Sequence, residues 1–198
     1  MTKATKRTRA LTGTAMLAAV ATILMYMEFP IPIMPGFIKM DISELPALIA
    51  SFAYGPLSGI AVCLIKNLIK LPSTSTAAVG ELFNFVMGAL FVGVAGIVYK
   101  KNKTRKGAII GAVAGALIMA LVSLPYNYFV VYPAYVVMYH LPLEAILGMY
   151  QAINPNVNGL LACLVTFNVP FTFAKGMVDA LLCFLIYKPL SPILHGRK

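Results

Sequence analysis

Acidic residues are scarce in this chain, which has 6 Asp and Glu against 16 Lys and Arg among its 198 residues. Charged residues of both signs make up only 11% of the sequence, whereas hydrophobic residues make up 60%. A chain with so few charges and so many apolar side chains is not a soluble domain. We therefore expect an all-α integral membrane protein that forms a single membrane domain over residues 1–198.

Sequence motifs for catalysis are also missing. The phosphate-binding motif G-x-x-x-x-G-K-[ST] is absent, so any uphill transport needs a partner or an ion gradient. The carboxylates lack the Asp-rich spacing of a magnesium site, and His140 and His195 are isolated, so we expect neither an enzyme nor a metal centre. Rings of like charge and a filter sequence, which ion channels use, are not found. The absence of an internal repeat weakens the case for an inverted-repeat transporter.

Most of the basic residues lie in three short polar segments, residues 3–9, 100–106 and 188–198, which contain no Asp or Glu. These segments flank long apolar runs, as the positive-inside rule requires of cytoplasmic loops. We therefore expect all three segments, and with them both termini, in the cytoplasm. The positive charge is then a feature of membrane topology, and nucleic acid is not an expected partner.

The number of helices follows from segment lengths and from this orientation, since a spanning helix needs about 20 apolar residues. Residues 43–71 form either one tilted helix or two short helices broken at Gly55-Pro56. Only the broken interpretation places an even number of spans between the first and second basic segments. The sequence thus predicts a six-transmembrane-helix bundle with an outer loop region at 131–167, in which 160–167 is a short surface or partly inserted helix. The six helices are expected at about 11–27, 44–54, 57–71, 78–99, 107–130 and 169–188.

A polar stripe runs along the last predicted helix. Asn168, Thr172, Lys175 and Asp179 are spaced i, i+4, i+7 and i+11, which places them on one helix face. An ionisable group at this depth is costly, so it faces the bundle and has a partner or a water-filled cavity. This pattern favours a binding site, although a Lys175–Asp179 pair that neutralises itself is the alternative.

Other candidate site residues lie at the same outer end of the bundle. Because they combine carboxylates, amides and an amine with aromatic walls, they suit a flat, mostly uncharged aromatic ligand that carries many hydrogen-bonding groups. Helix capping is an alternative role for Asp41, snorkelling to lipid headgroups is one for Lys70, and the loop before Asp41 is either a connector or a lid. The candidates are Phe37, Lys39, Met40, Asp41, Glu81, Asn84, Phe85, Tyr126, Asn127 and Tyr128.

Small residues recur on the first predicted helix, as Ala15-x-x-x-Ala19 and Ala18-x-x-x-Thr22. Small-x-x-x-small patterns let two helices approach closely in lipid. The pattern is explained either by a membrane partner that docks there or by packing within the bundle, and the sequence does not choose between them. Cys63, Cys163 and Cys183 lie in apolar segments and are expected to be plain buried thiols.

Several stretches of the chain resemble the substrate-binding S components of energy-coupling factor (ECF) vitamin transporters, most closely the riboflavin-specific members. The similar stretches are Phe37-Ile38-Lys39-Met40-Asp41-Ile42-Ser43-Glu44-Leu45-Pro46-Ala47-Leu48-Ile49, Tyr54-Gly55-Pro56, Lys66-Asn67, Gly80-Glu81-Leu82-Phe83-Asn84-Phe85 and Lys175-Gly176. One departure concerns Thr172, because riboflavin binders are expected to have Asn one turn before the Lys of the final helix, and here the amide is Asn168.

The resemblance implies a vitamin-binding subunit of a prokaryotic cell membrane, without catalytic activity or cofactor, whose transported ligand is riboflavin. It also implies that the subunit docks through the Ala15-x-x-x-Ala19 face onto a transmembrane coupling protein that bears two ATPase subunits, and that it topples among the membrane lipids to deliver the ligand. The alternatives are an S component for another vitamin, an autonomous ion-coupled transporter and, least favoured, a membrane-embedded enzyme acting on a lipid.

Overall fold

A computed structural model describes residues 3–74, 76–140 and 142–195. Arg197 and Lys198, which belong to the third basic segment, lie outside the described residues. Over these residues the fold is all-α apart from one short antiparallel ribbon, β1 (Phe29–Pro30) with β2 (Lys39–Met40). The helices are α1 (Lys3–Tyr26), α2 (Glu44–Tyr54), α3 (Pro56–Lys70), α4 (Val79–Lys101), α5 (Arg105–Tyr126), α6 (Tyr132–Tyr139), α7 (Leu143–Gln151), α8 (Leu160–Cys163) and α9 (Val169–His195).

Four helical segments in the described part of the chain are long and apolar enough to cross a membrane. They cover Ala4–Tyr26, Val79–Lys101, Arg105–Met138 and Leu160–Tyr187, with mean hydropathies of 1.4, 2.0, 2.3 and 1.7. Helices α2 and α3 have only 11 and 15 residues. Helix α2 is nevertheless buried from Glu44 to Phe52, because α1, α3, α4 and α9 all pack against it. Its backbone polar groups are therefore shielded from lipid despite its shortness.

The chain breaks between α2 and α3 at Gly55-Pro56, where the sequence predicts the break. Gly55 has a φ of +107°, a conformation that side chains with a Cβ rarely adopt, and its N–H donates to the carbonyl of Ser51 at 3.0 Å. Pro56 then occupies the first turn of α3, where a missing N–H costs nothing. The two residues thus end one helix and start the next without a loop.

Helices α5 and α9 extend beyond their predicted limits. A π-helical turn, Asn127–Val131, joins α5 to α6, and a second one, Leu164–Asn168, joins α8 to α9. The region 131–167 is therefore largely helical, and residues 160–167 continue into the last helix instead of lying as a separate surface segment. The prediction of an outer loop region failed there because Pro133 suggests a break in the helix, whereas it lies in the first turn of α6.

Close helix packing brings α4 against α5. A Cβ on Gly115 would lie 2.4 Å from the carbonyl oxygen of Phe91, so only glycine permits this approach. A second apolar cluster covers one end of the bundle and includes Val131, Tyr132, Ile146 and Tyr150. This cluster is built from α6, α7 and α8, the part of the chain that the sequence assigned to an outer loop. Val131 and Tyr132 of this cluster line a pocket at that end of the bundle.

Candidate ligand-binding site

A pocket lies between the loop that connects α1 to α2 and the helices α4, α5, α6 and α9. We call residues 27–43 the lid loop. One end of the pocket is lined by Phe37, Tyr132 and Tyr135 and is called the aromatic end, and the other is lined by Asp41, Glu44, Lys175 and Asp179 and is called the charged end. Among the predicted site residues, those lining the pocket are Phe37, Lys39, Asp41, Glu81, Asn84, Asn127, Asn168, Thr172, Lys175 and Asp179.

Four predicted residues do not line it. Met40 lies between Lys39 and Asp41, which both line the pocket. Because successive side chains of an extended strand point to opposite sides, the buried Met40 side chain points away from the pocket. On α4, Glu81 lies at the edge of the helix face that lines the pocket. Phe85 follows one turn later and is rotated by about 40° further around the helix, so it packs against the core and not into the pocket. Tyr126 precedes Asn127 by one residue, so its side chain points to a different side of the helix. Its ring centre lies 5.8 Å from that of Phe83. Tyr128 is exposed and contacts Phe129.

Ion pairs at the charged end connect the lid loop to α9. The ammonium group of Lys175 lies 2.8 Å from Asp41 Oδ2 and 3.1 Å from Glu44 Oε2. Lys175 thus reaches across to the lid loop and α2, and its partners are not Asp179, so the self-neutralising Lys175–Asp179 pair is wrong. A buried ion pair of this kind contributes little to the free energy of unfolding, which favours a role in binding.

Lys66 completes this charged network from α3. Its side chain is fully buried, and its ammonium donates to Glu44 Oε1 at 2.6 Å and to the hydroxyl of Ser43. The Ser43 hydroxyl in turn donates to Asp41, which also accepts the Ser43 N–H at 2.9 Å. Burial disfavours the charged form of Asp41, but the positive charges of Lys175 and Lys66 outweigh it and hold the pKa of Asp41 well below its usual range. Asp41 is therefore an ionised anchor of the lid loop.

Asp179 is the exception at the charged end. It is 0% exposed and lines the pocket. Within the described part of the chain, no donor lies within hydrogen-bonding distance of either of its carboxylate oxygens. A buried carboxylate without donors is costly, so its presence requires an explanation.

A second ion-pair group holds the lid loop near its start. Glu28 accepts from Lys39 at 2.9 Å and from Lys70 at 2.6 Å, and Lys70 also donates to the carbonyl of Met25 at 3.3 Å. Lys70 is buried, so the snorkelling role considered for it is wrong. Partial burial of Glu28 opposes ionisation, but hydrogen bonds from Lys70 and Lys39 prevail and lower the pKa of its carboxyl group.

Glu81 is held by the loop that precedes α4. Its Oε2 accepts from the hydroxyls of Thr74 and Thr76, at 2.7 and 2.8 Å. Ala77 and Ala78 follow with φ values of +45° and +68°, which are strained for residues with a Cβ. The loop therefore fixes Glu81 at the pocket wall at the expense of local backbone strain.

Aromatic contacts form the other end of the pocket. The ring of Phe37 lies edge-on to those of Tyr132, Tyr135 and Tyr150, with ring centres 6.4, 6.3 and 6.3 Å away. The hydroxyl of Tyr150 donates to Asn168 Oδ1 at 2.6 Å, and Asn168 Nδ2 donates to the hydroxyl of Tyr132 at 3.2 Å. Asn168 is thus positioned by two buried tyrosines. Burial raises the pKa of Tyr150 far above its usual value, so it remains a neutral donor.

Sequence reasoning missed several of these residues. Tyr132 and Tyr150 are not among the candidate site residues that the sequence predicts. Lys66 and Glu44 are named only within the stretches that resemble the S-component family, because the two residues of this pair are 22 positions apart. The available signal was the charge itself: a Lys inside an apolar helix needs a carboxylate partner. The identity of the partner is not encoded in local spacing.

The small-residue patterns of α1 lie on two different faces. Ala15 and Ala19 are exposed on the outside of the bundle, whereas Ala18 and Thr22 are buried against it. Only Ala15 and Ala19 are available to a partner, while Ala18 and Thr22 serve packing within the bundle.

A bundle with helices of membrane-spanning length, and with a pocket under a lid loop that ion pairs hold in place, has the construction of a small-molecule binding protein. The chain belongs to the family described as "ECF transporter, substrate-specific component", which it matches over residues 9–187. Members of this family are transporter components and not enzymes.

Similar proteins cover almost the whole chain. A Staphylococcus aureus protein named riboflavin transporter RibU is 33% identical over 180 residues, 91% of this chain and 89% of that protein. A Bacillus subtilis protein named riboflavin transporter FmnP is 33% identical over 187 residues, 93% of each chain. A solved structure described as "Structure and mechanism of the S component of a bacterial ECF transporter" is 31% identical, with a TM-score of 0.73 over 95% of this chain and 98% of that chain.

Proposed function

We propose that this chain is the riboflavin-binding S component of an ECF transporter, and that the pocket under the lid loop is its ligand site. Relatives named as riboflavin transporters, each about one third identical over nine tenths of the chain, support this ligand. The observation that carries the proposal is the division of the pocket into an aromatic end and a charged end. A flavin has the same division, because its flat ring system is joined to a flexible chain of hydroxyl groups.

The aromatic end offers contacts for the flat ring. Phe37, Tyr132 and Tyr135 supply aromatic surface, and Asn127 and Asn84 supply amide groups at the pocket wall. The Asn84 Oδ1 is buried without a donor in the described residues, so it is free to accept a hydrogen bond from the ring's imide group. The amides of Asn127 and Asn168 take over the role expected of an Asn at position 172. Thr172 is therefore compatible with flavin binding.

We infer a six-span topology with both termini in the cytoplasm. Four segments have spanning length, and the two short helices, α2, which neighbouring helices bury, and α3, supply two further crossings. Lys100 and Lys101 end α4, and Arg105 and Lys106 begin α5, so the connection between them is strongly basic. The positive-inside rule then places this connection in the cytoplasm and the lid loop outside, in the cell membrane of a prokaryote.

We infer that uptake is driven by ATP hydrolysis in partner subunits. The family is defined by its place in ECF transporters, and the chain contains no nucleotide-binding motif of its own. The exposed Ala15–Ala19 face of α1 is the proposed contact with a transmembrane coupling protein that carries two ATPase subunits. Toppling of the subunit in the bilayer is the proposed route by which the pocket reaches the cytoplasmic side.

Mass spectrometry of the ligand retained after gentle purification tests the proposed ligand. Cells grown with riboflavin should yield yellow protein that releases riboflavin on denaturation. A colourless preparation that retains a different vitamin would overturn the riboflavin assignment. Transport by the chain alone in liposomes, driven by an ion gradient without any ATPase, would overturn the ATP-driven mechanism.

A further inference from the structure

Among the described residues, Asp179 has no hydrogen-bonding partner in the network that surrounds it. The charged end of the pocket contains three carboxylates, on Asp41, Glu44 and Asp179, and two ammonium groups, on Lys66 and Lys175. Lys175 pairs with Asp41 and Glu44, and Lys66 pairs with Glu44, so both ammonium groups are engaged elsewhere. The cluster therefore has one carboxyl group more than its cations can pair with.

The position of Asp179 is fixed by the helix that carries it. It lies 11 residues beyond Asn168 on the same helical segment, a distance of about 16 Å along the axis. Asn168 marks the aromatic end through its bonds to Tyr132 and Tyr150, so Asp179 marks the far extreme of the pocket. Both of its oxygens are buried, and Met87 and Met119, which offer no strong donor, also line the pocket.

We propose that Asp179 determines specificity by accepting hydrogen bonds from hydroxyl groups of the ligand's polyol chain at the charged end. The inference rests on the proposed function and goes beyond it by assigning one part of a flavin to one residue. A ring placed between Phe37, Tyr132 and Tyr135 directs the chain toward Lys175 and Asp179. All five residues line the same pocket, and the helical segment of α9 leads from Asn168 beside Tyr132 to Asp179. The oxygens of a carboxyl group accept hydrogen bonds, which matches a chain of hydroxyl donors.

This assignment explains why a costly group is retained. Removing an unpartnered buried carboxyl group should stabilise the ligand-free protein, since leucine at the same place needs no hydrogen bond. Binding sites commonly lose stability in this way in exchange for recognition. A residue with only a structural role would show the opposite pattern, because its replacement would reduce stability along with binding.

A cycle of two ligands and two proteins isolates the proposed contact. Riboflavin is compared with lumiflavin, a flavin with a methyl group in place of the ribityl chain, on the unaltered protein and on Asp179→Leu. The expected result is an affinity for riboflavin that falls about 10- to 100-fold in Asp179→Leu, with lumiflavin affinity changed less than about threefold. Asp179→Asn keeps one acceptor oxygen and nearly the same shape. Its affinity for riboflavin should therefore lie between that of the unaltered protein and that of Asp179→Leu.

The control is Cys183→Ala, one turn further along α9. Cys183 is also fully buried but does not line the pocket, so this variant should lower the melting temperature and leave both affinities unchanged. Ligand-free Asp179→Leu should instead melt at or above the temperature of the unaltered protein. Equal losses for riboflavin and lumiflavin, or no loss for either in both Asp179 variants, would overturn the inference while leaving the proposed function intact. Failure of the unaltered protein to bind either flavin would overturn both.

Discussion

Lys175 is the residue on which the geometry of the pocket depends most. Its ammonium joins α9 to the lid loop through Asp41 and to α2 through Glu44. Shortening the lysine would remove a charged partner from each carboxylate. The loss is costly because both carboxylates are buried. A buried ion pair contributes little net stability by itself, so the main effect of this lysine is to fix the relative positions of α9, α2 and the lid loop.

Replacement of Lys175 by Ala should weaken riboflavin binding by about tenfold or more, because it removes a donor at the charged end and releases the lid loop. Fluorescence titration of the flavin measures the change. Lys103→Ala, an exposed lysine in the second basic segment, is the control and should bind like the unaltered protein. Unchanged affinity in Lys175→Ala would show that the polar stripe of α9 has no part in binding.

Asp41 gives a prediction about pH. Its pKa in the folded protein lies well below its usual range, so the stability that it contributes is present above the unfolded pKa of about 3.9 and is lost as the pH falls through the folded value. The difference in melting temperature between the unaltered protein and Asp41→Asn should therefore be constant from pH 7 to about pH 5 and shrink only below about pH 4. A difference that disappears already between pH 7 and pH 6 would contradict the ion pair with Lys175.

At the scale of helices, the junction between α2 and α3 depends on a single glycine. Gly55 has a positive φ, and the prolyl residue after it starts α3 directly. Since α2 contributes Glu44 and α3 contributes Lys66, the angle at this junction sets the 2.6 Å contact between them. A local backbone conformation is thus coupled to the charged end of the pocket.

Gly55→Ala should destabilise the protein by about 1 kcal/mol or more, because alanine is strained at a φ of +107°. Thermal unfolding in detergent measures the effect. Gly148→Ala is the matched control, since Gly148 lies within α7 and a Cβ there meets nothing within 4 Å. This control should be neutral or slightly stabilising. Equal melting temperatures for the two variants would contradict the proposed strain at Gly55.

Some helix limits and contacts were predictable from the sequence, and others were not. The ends of α2 and the start of α3 were predictable because Gly and Pro have local backbone preferences. The joined helices α5–α6 and α8–α9 were not, because a π-helical turn gives no periodic signal and Pro133 mimics a helix limit. The stripe with Lys175 was predictable from one helix alone, whereas the pairs Lys66–Glu44 and Tyr150–Asn168 join distant segments and required the fold.

At the scale of the whole molecule, the pocket and the proposed docking face are separate. The pocket is lined mainly by the lid loop, α4, α5, α6 and α9, and α1 contributes Met25 near its end, whereas Ala15 and Ala19 lie on the exposed face of α1. Such separation fits a subunit that captures ligand by itself and relies on others for energy. Ligand binding and transport should therefore respond to different substitutions.

The double substitution Ala15→Leu and Ala19→Leu should abolish most ATP-dependent uptake and leave riboflavin affinity unchanged, because bulky residues prevent close helix approach. Uptake is measured in cells or proteoliposomes that contain the partner subunits. The control is Ala174→Leu, an exposed alanine on α9. Normal uptake by the double variant would contradict docking through this face.

Titration of purified, ligand-free protein with riboflavin tests the central claim most directly. The chain contains no Trp, so the fluorescence of the flavin itself is the signal, and contact with Phe37 and the neighbouring tyrosines should quench it. The account predicts saturable quenching at one flavin per chain, weakened by Lys175→Ala. Riboflavin fluorescence that remains unquenched at protein concentrations in excess of the flavin would contradict it.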